Sequence, residues 1–142
     1  MKNQWRILLI SLFGMFCIGC ASTSQTRTIP KQDVRLDDSS KARIYVMRPS
    51  AIGGAVKFRV FDNDERVGKL GPEGYLCWER VPGVVKVTAG ILDVNLRTEA
   101  DKVYYVLLRA GFTSFSMEQV DEKRGQEYLK DCSPPNFVKK KD

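Results

Sequence analysis

In the stretch Ala42-Arg43-Ile44-Tyr45-Val46-Met47-Arg48-Pro49, apolar side chains fall on both sides of an extended chain. Successive side chains of a β-strand point to opposite faces, so Ile44 and Val46 share one face while Tyr45 and Met47 share the other. Apolar residues on both faces are typical of a central strand that is covered on both sides. The proline that follows lacks the N–H group that a sheet ladder needs, and we expect the strand to end there.

The chain from residue 42 to residue 132 consists of similar short stretches separated by turn signals. The stretch Leu92-Asp93-Val94-Asn95-Leu96-Arg97 alternates apolar and polar residues, which predicts a strand with Leu96 inward and Asn95 in water. Val103–Leu108 is apolar throughout and predicts a second central strand. Turns spaced about every 8–12 residues predict an all-β fold, an antiparallel β-sandwich of seven to eight strands (immunoglobulin- or prealbumin-like). A short C-terminal helix is expected at Gln126–Asp131.

The N-terminus has the pattern of a lipoprotein signal peptide. Lys2 and Arg6 precede the apolar run Ile7–Gly19, which is too short to span a bilayer and fits the h-region of a signal peptide. Cys17-Ile18-Gly19-Cys20 resembles the lipobox cut by the lipoprotein signal peptidase, although Cys17 and Ile18 depart from its usual residues. We therefore expect residues 1–19 to be removed and Cys20 to be acylated. A secretory signal that is cut elsewhere, or an uncleaved anchor, is the alternative.

Acylation at Cys20 would determine where the protein resides. The lipobox resemblance implies a diacylglycerol on the Cys20 sulfur and a further acyl chain on its amine, and two or more chains hold a protein stably on a membrane. Ala21 stands where an aspartate would favour the inner membrane, so we expect the outer membrane, facing the periplasm. Residues 20–41 are rich in Ser, Thr and Gln without a period, which predicts a flexible tether reaching about 25 Å.

Four motifs stand out in the β region. They are the opening strand Ala42–Pro49, Gly68-Lys69-Leu70 followed by Gly74-Tyr75, Val81-Pro82-Gly83, and Lys102-Val103-Tyr104-Tyr105-Val106. In order and spacing they resemble the motifs of a family of small Gram-negative lipoproteins classed only as a domain of unknown function, and the resemblance covers most of residues 42–120. It implies a β-sandwich lipoprotein with no established activity, and no catalytic or binding residues to transfer.

The composition argues against an enzyme and against a nucleic-acid-binding protein. The chain has no histidine, the commonest general base, and neither a Gly-x-Ser-x-Gly motif nor a glycine-rich phosphate loop. Nothing isolates a carboxylate pair such as Glu118 and Asp121 in an apolar pocket. The net charge of +6 comes mainly from the leader and from Lys139-Lys140-Lys141 in a basic tail, residues 133–142. We predict no catalytic residues, no cofactor and no nucleic-acid partner.

Apart from the predicted acylation site Cys20, Cys77 and Cys132 are the only cysteines that follow the leader. An exported protein enters an oxidising compartment, where a lone pair of cysteines usually joins. We therefore predict a disulfide between Cys77 and Cys132. The alternative is a buried free Cys77 and a free Cys132.

Two further groups of residues invite a ligand. Asp62-Asn63-Asp64 and Glu65 carry hard-cation donors, but a calcium loop also needs a glycine turn and a distant bidentate carboxylate. We predict a plain hairpin turn there and no metal site. Aromatic residues on strands more often pack in a core than stack on sugars, so the ligand-binding residues stay undefined. The aromatic residues in question are Tyr45, Trp78, Tyr104, Tyr105 and Phe112.

These observations favour a non-enzymatic envelope lipoprotein that binds a protein or a cell-wall partner such as peptidoglycan. Its contact with the membrane would be the N-terminal lipid, and an exposed strand edge would be a natural site for the partner. The alternative is a structural or stress-related accessory lipoprotein with no specific ligand, and an envelope hydrolase is less favoured. An exposed aromatic patch would favour the binding function, and a uniformly polar surface would favour the accessory one.

Overall fold

The computed structural model describes residues 22–139, which form an all-β fold of two packed sheets and one short helix. The predicted β-sandwich is therefore confirmed, with ten strands in the described part of the chain. The elements are β1 (Ser24–Gln25), β2 (Ala42–Arg48), β3 (Phe58–Asp62), β4 (Glu65–Leu70), β5 (Gly74–Arg80), β6 (Gly83–Ala89), β7 (Leu92–Thr98), β8 (Val103–Ala110), β9 (Phe115–Val120), α1 (Glu122–Leu129) and β10 (Asn136–Phe137).

The two sheets differ in size. The larger has six strands in the order β10-β1-β4-β3-β6-β7, and the smaller has four in the order β5-β2-β8-β9. Most neighbouring strands run antiparallel, but β2 pairs in parallel with β8, and β1 pairs in parallel with β10. The two central strands of the smaller sheet are β2 and β8, as their apolar sequences predict.

Every residue of β2 is buried, because both faces of the smaller sheet are covered. Ile44 and Val46 face the larger sheet and join the main core between the sheets. Tyr45 and Met47 face the other way, into a second apolar cluster on the outer side of the smaller sheet. The helix side chains Tyr128 and Leu129 pack on this outer cluster. The expectation of a strand with two buried faces is confirmed.

The alternation in β7 has the predicted direction. Leu96 is 1% exposed and lies in the main core opposite Val85 of β6, whereas Asn95 is exposed. Val94 is partly buried and packs against the same core.

The helix begins four residues earlier than the predicted Gln126–Asp131. Asp121 caps its N-terminus by accepting a hydrogen bond from the backbone N–H of Arg124 at 3.0 Å. Gly125 does not interrupt the helix. Gly125 is the buried residue of this helix, and a Cβ atom built on it would overlap the ring of Tyr105. The glycine therefore lets the helix approach the smaller sheet closely.

Replacing Gly125 with alanine should lower the free energy of unfolding by about 1–3 kcal/mol, because the added methyl group overpacks the contact with Tyr105. In an exposed helix the same change would stabilise by up to about 1 kcal/mol, so the sign of the effect tests the contact. Urea midpoints followed by circular dichroism would measure it. Glu127→Ala, at an exposed position of the same helix, is the control. A raised midpoint for Gly125→Ala would contradict the packing.

The flexible tether predicted for residues 20–41 is wrong for the described residues of that segment. Thr23 and Gln25 are buried, and Ser24–Gln25 forms β1 inside the larger sheet. The Gln25 side chain donates to the Cys77 carbonyl at 2.6 Å and accepts from the Cys77 N–H at 3.0 Å. These two hydrogen bonds engage the backbone C=O and N–H groups of Cys77, which lie on the unpaired side of the edge strand β5. The amino-acid composition cannot reveal this contact, because a single polar side chain that binds a strand edge leaves no periodic pattern in the sequence.

The basic tail predicted for residues 133–142 also needs correction. Asn136–Phe137 forms β10 beside β1, with the Asn136 N–H bonded to the Thr23 carbonyl at 2.9 Å and the Val138 N–H to the Gln25 carbonyl at 2.8 Å. The two ends of the described chain therefore complete the larger sheet together. The predicted signal peptide (residues 1–19), Cys20, Lys140, Lys141 and Asp142 lie outside the described residues. Within residues 22–139, no helix is long and apolar enough to cross a membrane.

Candidate functional site

The loop with cation-like donors is a hairpin turn, as predicted, but its first carboxylate has another role. Asn63 takes a positive φ of 54° in the tight turn between β3 and β4. Asp62 is the last residue of β3, and it is buried with 5% exposure. Across residues 22–139 no group of three or more His, Cys, Asp or Glu side chains is placed to hold a metal ion.

Asp62 accepts hydrogen bonds from three side chains. The donors are Arg27 Nη1 at 2.7 Å, Trp78 Nε1 at 2.8 Å and Arg80 Nε at 3.0 Å. Burial alone would raise the pKa of Asp62, but the bonds from these three side chains outweigh it and lower the pKa below its usual value. The carboxylate is therefore ionised and fully engaged, and it joins the N-terminal segment to β3 and β5.

A second buried ion pair holds the rest of the N-terminal segment. Arg43 is 1% exposed and bonds Glu79 Oε1 at 2.8 Å. Its Nη1 donates to the carbonyl oxygens of Lys31 at 3.0 Å and Val34 at 2.9 Å. Glu79 also accepts from the Asp37 N–H at 2.7 Å. These bonds depend on the pairing of β2 with β5, which brings Arg43 opposite Glu79. The local sequence therefore does not predict them.

The two ion-pair networks border an open cleft of about 550 Å³ at the end of the sandwich where β3 turns into β4. The cleft carries charged side chains of both signs, among them the Asp62 carboxylate that is bonded to Arg27 and Arg80. Its lining residues are Arg27, Lys41, Asp62, Asn63, Asp64, Glu65, Glu79, Arg80 and Val81.

The structure separates the predicted aromatic set. Tyr45, Trp78 and Tyr105 are buried, and Tyr45 stacks on Tyr105 with ring centroids 5.4 Å apart. Tyr104 is partly buried, and its hydroxyl accepts from the Glu99 N–H at 2.9 Å. Phe112 is 93% exposed. These residues therefore form no shared stacking platform.

The carboxylates singled out in the sequence have structural partners. Glu118 pairs with Arg109 at 2.9 Å, and Asp121 caps the helix.

The predicted disulfide is not formed, because Cys77 and Cys132 are both free thiols. Both contact the outer apolar cluster, but the strand register keeps them apart. Ser133, the residue after Cys132, lies beside Gly74 in a parallel bridge at the start of β5. Three residues of strand, about 10 Å, separate that bridge from Cys77, whereas a disulfide needs Cα atoms within about 7 Å. Spacing along the chain carries no information about this register.

Both thiols should react slowly with a maleimide in the native protein. Burial raises the pKa of Cys77 to about 11 and that of Cys132 to about 12. A rise of two pKa units lowers the thiolate fraction at neutral pH about 100-fold. We expect slow labelling of the folded mature protein at these residues and much faster labelling of both in denaturant, measured by intact mass. A mass two protons short without reductant would instead reveal a disulfide.

Large apolar side chains are exposed at the end of the sandwich opposite the charged cleft. Phe58 begins β3 there, and its ring meets Phe115 of β9 at 5.2 Å between centroids. Gly90, in the turn between β6 and β7, lies against Phe58, and Gly53 lies against Phe115. Three segments therefore converge at this end. We call its exposed apolar side chains the apolar end: Ile52, Val56, Ile91, Phe112 and Phe115.

A buried arginine holds the loop that carries Ile52 and Val56. Arg48 donates to the carbonyl oxygens of Val56 at 2.5 Å, Ile52 at 2.9 Å and Gly53 at 2.8 Å. Its guanidinium also lies over the Phe58 ring, 5.3 Å from the centroid. The apolar end is thus preorganised rather than a loose loop.

The sequence interpretation missed the apolar end, although a signal was present. Turn tips normally carry Gly, Pro, Asn, Asp or Ser, whereas here Ile91 and Phe112 occupy hairpin turns beside Gly90 and Gly111. Large apolar residues at turn tips indicate a function other than packing, because the tips lie outside the core.

Fold and surface together define a small β-sandwich domain with a cleft of mixed charge at one end and a preorganised apolar surface at the other. No protein-family model matches the chain. It is similar to a protein of Haemophilus influenzae described as uncharacterized, with 23% identity over 131 residues, 87% of this chain and 78% of that protein. Among solved structures it is similar to the N-terminal domain of AlgF from P. aeruginosa, with 13% identity, a TM-score of 0.42, and coverage of 58% of this chain and 95% of that domain.

Proposed function

We propose that this protein is a lipid-anchored envelope lipoprotein whose β-sandwich is a non-enzymatic module that binds a protein or cell-wall partner. The anchor is Cys20, the location is the outer membrane facing the periplasm, and the relatives are the small Gram-negative lipoproteins of unknown function. The observation that carries the binding function is the exposure of two large apolar side chains, Val81 and Val84, beside the charged cleft. Exposed apolar surface of this kind is typical of interaction sites.

The chemistry of the described residues supports a binding module over a hydrolase. Asp62, Glu79 and Glu118 are engaged with arginines, and burial raises the pKa of the Cys77 thiol to about 11. General bases and nucleophiles need pKa values near the working pH and access to substrate. Asp62 and Cys77 are buried, and the pKa of each is shifted away from neutral pH.

The surface we assign to the partner is beside the charged cleft. Val81 and Val84, at the turn between β5 and β6, are 67% and 65% exposed. An apolar centre bordered by charged residues is the usual anatomy of a protein interface. The accessory alternative gains support from the cleft itself, where the Asp62 carboxylate is already bonded to Arg27 and Arg80.

Replacing Cys20 with alanine should abolish incorporation of a fatty-acid probe and leave the protein uncut or freely soluble, because the acylated sulfur is lost. Cys17→Ala, which removes the neighbouring cysteine of the same motif, is the matched control and should keep full labelling. Labelling followed by membrane fractionation measures both. Persistent labelling of the Cys20→Ala protein would refute the anchor.

Crosslinking in intact cells separates the binding function from the accessory one. A photo-crosslinking residue at Val84 should give one discrete adduct, identified by mass spectrometry as an envelope protein or peptidoglycan. The same residue at Ser116, exposed on β9 of the other sheet, is the control. No adduct from Val84 or from Val81 would favour the accessory alternative.

A further inference from the structure

We propose that the apolar end is a membrane-facing surface that rests on the phospholipid bilayer holding the Cys20 anchor. This inference rests on the proposed lipid anchor and adds an orientation to it. The predicted tether would let the domain float at any angle, whereas the described structure leaves almost no tether.

The chain enters the fold at the apolar end. Thr23 is buried, and its hydroxyl accepts from the Gly71 N–H at 3.1 Å. Strand β1 then runs away from this end, because Ser24 pairs with Lys69 and Gln25 with Gly68 of β4. The direction from Gln25 back to Thr23 therefore points toward the apolar end.

Strand register places Thr23 level with the exposed side chains of the larger sheet. Ser24 pairs with Lys69, and the next residue of β4, Leu70, pairs with Phe58 of β3. Val60 pairs with Ala89 on its other side, so the turn containing Ile91 lies at the level of Phe58. Thr23, Phe58 and Ile91 thus share one level.

The smaller sheet extends further in the same direction. Thr23 packs on Gly74, which pairs with Arg48 at the end of β2. Met47 pairs with Leu107, and β8 continues to Ala110 before its hairpin turn. Phe112, at the tip of that turn, lies beyond the end of β2.

The distance to the anchor is short. Cys20 precedes Thr23 by three residues, and three residues of extended chain span at most about 10 Å. Three strand spacings separate β1 from β6 in the larger sheet, about 15 Å. An acylated Cys20 at the bilayer surface would therefore bring the whole apolar end within reach of the lipid headgroups.

The chemistry of the apolar end suits a lipid interface. Ile91 is 97% exposed and Phe112 is 93% exposed, and interfacial apolar side chains penetrate about 5–10 Å into the boundary between headgroups and acyl chains. Lys57 and Arg59 are exposed where β3 begins, next to this surface, and cations there attract anionic headgroups. The loop held by Arg48 is already ordered, so its binding to the lipid surface costs little conformational entropy.

The test uses the full acylated protein, purified from membranes and reconstituted in phosphatidylethanolamine–phosphatidylglycerol vesicles with brominated acyl chains. Phe112→Trp and Ile91→Trp place a reporter at the apolar end. Val84→Trp places it on an equally apolar, exposed site at the opposite end. Trp78 is fully buried and supplies a constant background. We expect bromine to reduce the added emission about twofold for the first two variants, as interfacial insertion implies, and to leave Val84→Trp unchanged.

Each other outcome overturns the inference. Equal quenching of all three variants means no fixed orientation, and quenching of Val84→Trp alone means the opposite one. A blue-shifted emission from Phe112→Trp without bromine quenching means that a protein, or a second copy of this chain, covers the apolar end. Flotation of the acylated wild-type protein with the vesicles distinguishes failure of the proposed anchor from failure of the proposed orientation. Flotation without selective quenching refutes only the orientation, whereas no flotation refutes the anchor and the orientation together.

Discussion

Replacing Asp62 with alanine should lower the free energy of unfolding by about 3–5 kcal/mol, the typical effect of breaking a buried ion pair. The change removes the acceptor for Arg27, Arg80 and the Trp78 indole. Arg80, whose side chain is 10% exposed, would keep its charge without a carboxylate, and the Trp78 N–H would lose its bond inside the core.

Glu65→Ala is the matched control for this prediction. Glu65 bonds the same arginine, Arg27, at 3.2 Å, but its side chain is 69% exposed. Exposed ion pairs contribute about 0–1 kcal/mol, so this variant should unfold near the wild-type midpoint. Urea denaturation of both variants measures the difference. Similar losses for Asp62→Ala and Glu65→Ala would mean that burial of the ion pair is not what stabilises this end of the sandwich.

The Asp62 variant should also change how stability depends on pH. Because the pKa of Asp62 is lowered in the folded protein, its ionised form stabilises the fold fully above the unfolded pKa of about 3.9. That contribution is lost as the pH falls from there through the lower, folded pKa. The wild type should therefore lose more stability than Asp62→Ala in this acidic range, and parallel curves would contradict the assignment.

Replacing Leu96 with alanine should lower the free energy of unfolding by about 2–5 kcal/mol, because it leaves a cavity in a core that collapses only partly. Leu96 is 1% exposed and packs between the two sheets. Asn95→Ala, on the exposed face of the same strand, should change the stability by no more than about 0.5 kcal/mol.

The contrast between Leu96 and Asn95 tests strand register as well as burial. A slip of one residue would exchange the two faces of β7. Leu96 would then be in water and Asn95 in the core. Denaturant midpoints decide between the registers, and a loss at Asn95 that equals or exceeds the loss at Leu96 would show that the strand faces the other way.

The strands of the sandwich were predictable because their signal is local. A period of two repeats within a few residues, so Ile44 and Tyr45 reveal opposite faces without any knowledge of their partners. The helix was less predictable, since Gly125 lowers helix propensity. Its role depends on the distant Tyr105, against which only a glycine fits.

The edges of the domain were not predictable in the same way. Residues 22–41 are mostly polar, residues 133–138 contain two prolines, and neither segment has a period, as is also true of a linker. Gln25 binds Cys77, and Arg27 binds Asp62. These partners are far apart in the chain, so their contacts arise from topology and not from pattern. For the same reason, a lone pair of cysteines in an oxidising compartment suggested a disulfide between Cys77 and Cys132 that the structure does not contain.

The sequence by itself determined the all-β class, the two central strands and the inward face of β7, because alternation along a strand follows from backbone geometry alone. Only the tertiary structure decided that the N-terminal segment is part of the sheet, that Asp62 is a buried ion-pair acceptor, and that Ile91 and Phe112 lie at the end where the chain enters. The physical reason is that strand order and register set which distant residues become neighbours, and no local period records either of them.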